Sequence, residues 1–508
     1  MPAGITAAQG ERLEAEFTAD RTDTAPAGAD PGIGYIFEHT RGRKCLVFVN
    51  SREECETVTT TLRQYCEYKH EADRFLIHHG NLSASYRETA EEAMKDETRA
   101  LTTVTTATLE LGIDIGRLER AFQINAPFTV SSFLQRMGRT GRRELPPEMR
   151  FVMREEPPEM RASLPASLPW QLLQGAALVQ LYREEHWVEP PRLGKLPYSL
   201  LYHQTMSVLC SCGELARRVL SLSCFSGITK EDYVVLLRHL LATDQIQKTA
   251  EGVLIIGISG ERQVNSYRFF AVFQENEEYT VRSGSQELGT VVKPPPVGER
   301  LALAGHVWVV DEIDHKRRTV YCTLVKGRVP AFFGLCPGDI NTRVLERMKQ
   351  VLLEDELYPY LMKNARARLT QARRAAHNAG LSYPLICLGG DSWCLMPWLG
   401  TYAFMALERL IKLKCAEAGI KGFESSKPYF MQFRMTAEPD EFLHLLAKKA
   451  AELVSPMELL YPGEVPVFEK YDEFVPEELV RKGFACGVLD INGMKERVLQ
   501  WDSEIFHV

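Results

Sequence analysis

The chain is 508 residues long, 45% apolar and 25% charged, with a net charge of −7, the balance of a soluble protein with apolar material for several cores. No run approaches the roughly eighteen apolar residues of a membrane helix, and the opening residues are polar and acidic with no basic start before an apolar stretch, so the expectation is a cytoplasmic protein without a membrane partner. A net acidic chain does not coat nucleic acid indiscriminately, although a local basic cleft fits within it.

Residues 1–34 hold no sustained apolar period and read as a leader or linker. From Lys44 the pattern alternates between apolar runs and amphipathic segments: CLVFVNS, EECETVTTTLRQYCEY, RFLIHHG, SYRETAEEAMKD, RALTTVTTATLELGIDIG and RAFQINA. Strand alternating with helix at this spacing predicts an α/β unit with a parallel sheet. A proline-rich connector follows, in which PPEMR occurs at 146–150 and again at 157–161, a local duplication in a loop. Trp170 to Leu241 reads as helical. There Thr229 with Asp232 resembles a capping arrangement, and Tyr233, Leu236, Leu237, Leu240 and Leu241 fall on one helical face. KTAEGVLIIGISG then predicts a turn and hairpin, so helices followed by a hairpin suggest a winged helix over 170–260. Short β-rich runs from Tyr267 to Leu335 suggest a small barrel or sandwich. From Asn341 the pattern is mainly helical, with short apolar runs around Trp393 and Tyr429.

The twelve cysteines are scattered, and the one-residue spacing of Cys210 and Cys212 matches no usual zinc or redox motif. They read as reduced, buried thiols. His78, His79 and His315 show no ligand spacing either, and no structural metal is expected.

The segment that carries chemistry is SSFLQRMGRTGRR at 131–143. Gly138 and Gly141 let the chain turn tightly, while Arg136, Arg139 and Arg142 recur every three residues, so that several guanidinium groups can converge on one anion. A planar, permanently charged fork suits a γ-phosphate whose charge builds up during transfer. Alone, such a loop is more often a solvated surface, and its neighbours change that reading. TTATLELGIDIG at 105–116 contributes Gly112 and Asp114 at a strand-to-loop junction, and FVNSREE at 48–54 and HHGNLSASYR at 78–87 lie further upstream. All four segments fall where a parallel sheet ends its strands, the usual ligand edge.

Together these segments resemble motifs IV, IVa, V and VI of superfamily 2 helicases, and LELGIDIG with QRMGRTGRR resembles the Lhr (large helicase-related) group. The resemblance implies a multidomain α/β plus α+β fold: a RecA-like parallel-sheet lobe at 35–165, a winged helix at 166–260, a β-barrel or sandwich module at 261–340 and a mainly helical region at 341–508. It further implies that Arg139 and Arg142 act as arginine fingers on ATP, with Gln135, Gly112, Asp114 and Arg136 around the nucleotide. Asn50, Ser51, Gly80 and Thr106 match positions close to the nucleic-acid backbone, where small polar groups and amides hold phosphates without reading sequence. Asn50 and Thr106 have a second reading, as groups that satisfy loop backbone. The implied partners are single-stranded DNA or an RNA:DNA duplex, with 3′-to-5′ translocation and a role in repair.

Such helicases also need a first lobe with a phosphate-cradling GxxxxGK[ST] loop and a DExH strand that holds Mg2+. No GxxxxGK[ST] occurs in the 508 residues, and VWVVDEIDH at 307–315 is a decoy, downstream of motif VI and inside the β-rich stretch. ATP and Mg2+ are therefore expected to bind only with a first lobe supplied elsewhere, and ATPase activity of this polypeptide alone is expected to be negligible. Two alternatives stay open, a non-enzymatic nucleic-acid-binding or adaptor module and a truncated gene product. Among other features, the helix at 230–241 is expected to act as a scaffold more than as a base reader. Arg366, Arg368, Arg373 and Arg374 could follow a phosphate backbone or form a solvated face. Trp393, Trp398 and Tyr402 could stack on bases, with core packing the better reading.

Overall fold

The computed structural model describes residues 30–506 apart from 97, 111–117, 142–145, 156–157, 159–161, 212–214, 273–277, 292–293, 295–296, 299, 315–316, 326–337, 382 and 467. Helical order begins inside the stretch read as a leader, with α1 (Pro31–His39), because the Asp30 carboxylate accepts from the amides of Gly32 and Ile33 and fixes the first turn. There follow β1 (Cys45–Phe48), α2 (Arg52–Tyr68), β2 (Phe75–His78), α3 (Ala84–Lys95), β3 (Thr102–Thr105), β4 (Arg120–Ile124), α4 (Val130–Met137) and β5 (Met149–Val152).

The five strands form one sheet in the order β2-β3-β1-β4-β5, every pairing parallel. Strand alternation divides the core. Val47, Phe122 and Ile124 pack with Ile36, Phe37, Val58 and Leu62, whereas Leu46, Phe48 and Ala121 pack with Met94, Leu101 and Leu118. Phe48 lies in register with Thr105 and Gln123, and His78 with Thr105, so the residues that follow β1, β2, β3 and β4 emerge at one edge.

Beyond the sheet come α5 (Trp170–Glu185), α6 (Tyr198–Ser211), α7 (Leu215–Leu220), α8 (Lys230–Ala242), the hairpin β6 (Ile246–Lys248) and β7 (Leu254–Ile256), and α9 (Ile258–Val264). Next are β8 (Tyr279–Ser283), β9 (Gln286–Val291), β10 (Arg300–Leu303), β11 (His306–Asp314) and β12 (Thr319–Val325), then α10 (Thr342–Leu353) and α11 (Lys363–Asn378). The chain ends with β13 (Leu385–Gly389), β14 (Ser392–Leu395), α12 (Thr401–Lys414), β15 (Lys421–Ser426), β16 (Phe430–Arg434), α13 (Pro439–Glu452), α14 (Glu477–Val488) and α15 (Ile491–Phe506). No helix among the described residues is long and apolar enough to cross a membrane.

These elements form two compact units, each built from separate stretches of chain. The first combines Met1–Glu189 with Glu277–Ser382. Its second sheet, in the order β10-β11-β12-β8-β9, is fixed to the parallel-sheet lobe at two places. The buried Glu56 carboxylate on α2 accepts from the amides of Ala304 (2.8 Å) and Gly305 (2.7 Å) in the β10–β11 turn. Arg63, also on α2, donates to both of those residues' carbonyls, at 3.1 and 2.8 Å. At the other place Leu82 bridges Gly289, and the Thr290 amide donates to the Asn81 carbonyl at 2.8 Å.

In the same unit the half-buried Glu155 carboxylate accepts from the first amides of α5, those of Gln171 (2.6 Å) and Leu172 (3.1 Å). Burial pushes its pKa up from 4.5 to about 7 against the pull of those donors. The folded state therefore holds a proton there that the unfolded chain has released, so this contribution to stability is complete below pH ~4.5 and is lost as pH rises through ~7, at most about 3 kcal/mol. Glu155→Gln, which keeps the acceptor without the charge, is expected to raise Tm relative to the parent more at pH 8 than at pH 5. Calorimetry at the two pH values checks this, and an offset equal at both would contradict it.

The second unit combines Pro190–Asn276 with Tyr383–Val508. The Thr229 hydroxyl caps α8 by accepting from the Asp232 amide at 3.1 Å, and Tyr233, Leu236 and Leu240 are buried while Leu241 is exposed. A four-stranded antiparallel sheet in the order β13-β14-β16-β15 packs with α12, α13 and α15 around Phe404, Leu407, Phe433, Phe442 and Trp501.

Candidate functional site

Helix α4 carries most of the arginine-rich segment, and its start is fixed by two caps. The Thr129 hydroxyl accepts from the Ser132 amide at 3.0 Å, and the Glu189 carboxylate accepts from the amides of Val130 (2.7 Å) and Ser131 (3.1 Å). Three amides without a helical partner are thereby satisfied, with a negative charge at the positive end of the helix dipole. Gln135, half-buried, donates to the Ser131 hydroxyl at 3.4 Å.

The helix closes at Gly138, and the turn beyond is pinned by Thr140, whose hydroxyl donates to the Met137 carbonyl (3.0 Å) and accepts from the Glu148 amide (3.0 Å) ahead of β5. Gly141 has φ +74°, and a Cβ there would lie 2.3 Å from the Pro147 nitrogen. Gly141→Ala is therefore expected to cost about 1–3 kcal/mol, more than Gly42→Ala, where φ is +64° but nothing lies within 4 Å of the added carbon. Thermal unfolding of the two variants tests this, and equal costs would refute the close packing of the turn.

Arg136 and Arg139 differ sharply in their surroundings. Arg136 is buried on α4, and its guanidinium donates to Glu110 Oε1 at 2.6 Å, to Gln123 Oε1 and to Asn50 Oδ1 at 3.3 Å, lying 5.3 Å from the centre of the Phe48 ring. Burial lowers its pKa while the Glu110 carboxylate opposes that shift. Asn50 in turn donates to the Ala126 carbonyl at 2.8 Å, and Gln123 donates to the Ile124 carbonyl at 2.7 Å. One buried guanidinium thus ties the end of β1, the turn after β3, strand β4 and α4. Arg139, in the turn beyond the helix, is half-buried and its Nε donates to the Glu110 carbonyl at 2.9 Å. Glu110 therefore holds Arg136 with its side chain and Arg139 with its main chain.

Ser51 is the N-cap of α2, its hydroxyl accepting from the Glu54 amide at 3.0 Å, while the Glu54 carboxylate accepts from the Asn50 amide at 3.2 Å. Burial raises the Glu54 pKa. Gly80 lies just past β2, exposed, with open space where a side chain would stand. Thr106 follows β3 and is half-buried at the start of a short turn of helix. Parallel registry brings Asn50, Ser51, Gly80 and Thr106 to the same sheet edge. Gly112, Asp114 and Arg142 lie outside the described residues.

Glu110, Gln123 and Glu189 escaped the sequence reading. A carboxylate interrupting the apolar run LELGI was the available signal for Glu110, and nothing local marked the other two. The histidines are engaged internally. His78 contacts Thr108 (2.8 Å) and Glu91 (2.9 Å), and His79 contacts Glu56 (2.7 Å). Burial lowers the His78 pKa. Asp311 and Glu312 lie on β11 of the second sheet, where Asp311 accepts from the Thr323 hydroxyl at 2.8 Å, while His315 lies outside the described residues. Trp398 is 2% exposed and its ring belongs to the core. Arg366, Arg368 and Arg373 donate to the carbonyls of Pro359, Ser167 and Val351 at 2.7–2.8 Å, which fastens α11 to its surroundings.

Residues 32–144 match the family described as the Helicase conserved C-terminal domain. Over 100 residues the chain is 36% identical to the ATP-dependent helicase Lhr-Core of Methanothermobacter thermautotrophicus, covering 20% of this chain and 11% of that protein. Over 126 residues it is 33% identical to the Lhr-Core helicase of Saccharolobus solfataricus, covering 24% of this chain and 14% of that one. The chain thus aligns with a small share of these curated relatives. The solved structure of Mycobacterium smegmatis helicase Lhr bound to ssDNA and AMP-PNP is similar over 94% of this chain and 65% of that one, with a TM-score of 0.58 at 15% identity, a likeness of fold.

Proposed function

We propose that this chain, the C-terminal portion of an Lhr-like superfamily 2 helicase, supplies the second half of an ATP-driven motor on nucleic acid. The observation that carries this reading is the paired use of Glu110, which fixes Arg136 in the core and holds Arg139 at the strand-end edge. Arg139 and Arg142 act as arginine fingers, neutralising charge as it develops on the γ-phosphoryl group of ATP. Arg136 acts through them, as a positioning residue. Gln135 is assigned to the nucleotide side of the site, as are Gly112 and Asp114 by the resemblance alone, both outside the described residues.

The edge fits nucleotide phosphates by the half-buried guanidinium of Arg139. Among the described residues no group of three or more His, Cys, Asp or Glu side chains could hold a metal ion, and in this reading Mg2+ would be held by a first motor lobe, where it would neutralise phosphate charge. Asn50, Ser51, Gly80 and Thr106 lie where a strand backbone passes, and Gly80 is exposed with nothing within 4 Å of where a Cβ would stand. In this reading α6–α8 with the β6–β7 hairpin form a winged helix that guides the strand, and the β8–β12 sheet is the barrel-like module. The strand is DNA, alone or paired with RNA, and translocation runs 3′ to 5′. The test adds a first lobe carrying the phosphate loop, in trans or by fusion, and measures ATP hydrolysis with and without single-stranded DNA. Stimulated hydrolysis is expected, and none above the first lobe alone would sink the motor reading.

A second reading is a nucleic-acid-binding adaptor that works without ATP. It predicts nucleic-acid binding that falls with salt and ignores ATP even with the first lobe present.

A further inference from the structure

In the second unit a short helical turn follows α9 at Tyr267–Phe270. Its middle is anchored. Phe269 is buried, its ring 4.5 Å from the His203 ring and 6.0 Å from that of Tyr471, and its carbonyl accepts from His203 Nε2 at 2.8 Å. The carbonyls on either side are held as well, since Lys470 Nζ donates to those of Arg268 (2.7 Å) and Ala271 (2.9 Å). The Tyr471 hydroxyl adds a further donor, 2.9 Å from the Ala271 carbonyl.

With Phe269 drawn inward, the residues beside it project outward: Tyr267 is 78% exposed and Phe270 85%. Between them Arg268 is exposed, its Nε 3.4 Å from the Tyr267 hydroxyl and its guanidinium 5.9 Å from that ring. A lone exposed aromatic needs no explanation. Two exposed rings carried by one turn whose backbone is held by three side chains, with the Arg268 guanidinium beside Tyr267, present apolar ring faces and a positive charge at one place on the surface. Those are the features that bind an unpaired base by stacking and its phosphate by charge.

We propose that Tyr267 and Phe270, with Arg268, form a stacking site for unpaired bases of single-stranded nucleic acid. The site needs no ATP and lies apart in sequence from the arginine-rich segment, so it stands or falls independently of the motor reading. Stacking fits the rings of any base, and the site is therefore tolerant of sequence and shared by DNA and RNA strands.

The test uses the full chain and fluorescence anisotropy with a labelled thymidine oligonucleotide about twenty nucleotides long, a uridine strand of equal length, and an abasic strand as probe for the backbone alone. Tyr267→Ala and Phe270→Ala are each expected to weaken binding of both base-bearing strands about tenfold, with unchanged Tm because both side chains are exposed. Neither substitution should alter the abasic strand, Arg268→Ala should weaken all three, and Tyr267→Trp should restore what Tyr267→Ala loses. Thymidine binding within twofold of the parent, or equal losses on the abasic strand, would overturn the proposal. So would variants that change only self-association in sedimentation, which would assign the rings to a protein contact.

Discussion

Arg139→Ala is expected to lower kcat for ATP hydrolysis about a thousandfold or more once a first motor lobe is present, with a much smaller change in KM. The asymmetry follows from where the charge appears. A guanidinium facing the γ-phosphoryl group gains most when that group carries its transition-state charge, whereas ground-state binding rests largely on the phosphate loop of the other lobe. The substitution should cost little stability, since the side chain is half-buried in a turn beyond the end of α4. Arg139→Lys keeps the charge but loses the planar fork, and an intermediate rate is expected. Steady-state kinetics beside a thermal melt separates the two effects, and a kcat within threefold of the parent would remove Arg139 from the finger role.

Glu110→Ala should act in the opposite sense, on the fold first. It strips the carboxylate from a buried guanidinium whose other partners, Gln123 and Asn50, are neutral amides. Breaking a buried pair by removing one member costs about 3–5 kcal/mol, enough to loosen the ends of β1 and β4 together. Because the penalty lies in the stranded charge, the double change Glu110→Ala with Arg136→Met is expected to be milder than Glu110→Ala alone. Urea denaturation followed by circular dichroism, read as a double-mutant cycle, measures this. Additive losses would mean that the two groups are not coupled.

These expectations show how far the sequence could be read. The parallel sheet was legible because short apolar runs such as CLVF and FLIH alternate with amphipathic segments, and a helix such as α2 carries its own start signal in Ser51. The arginines were harder. The regular spacing of Arg136, Arg139 and Arg142 pointed to several guanidinium groups converging on one anion, yet Arg136 stands on the last turn of α4 facing Phe48, whereas Arg139 lies past Gly138, where the helix has ended and its phase no longer applies. Period alone cannot report that change of direction.

The sheet β13–β16 was visible only as apolar runs near Trp393 and Tyr429, because β15 reads KGFESS, a largely exposed strand with little hydrophobic alternation. The contact of Glu56 with Ala304 and Gly305 joins residues far apart in sequence, and no local pattern announces such a pairing.

That last contact bears on which part of this polypeptide can stand by itself. The lobe's helix α2 keeps a carboxylate in its interior whose amide donors arrive only after the chain has left the first unit and come back. Cut away the returning stretch, and Glu56 and His79 face each other at 2.7 Å with those two donors gone. The first unit is thus discontinuous along the chain, and the buried Glu56 carboxylate gains these two amide donors only once the β10–β11 turn has been synthesised.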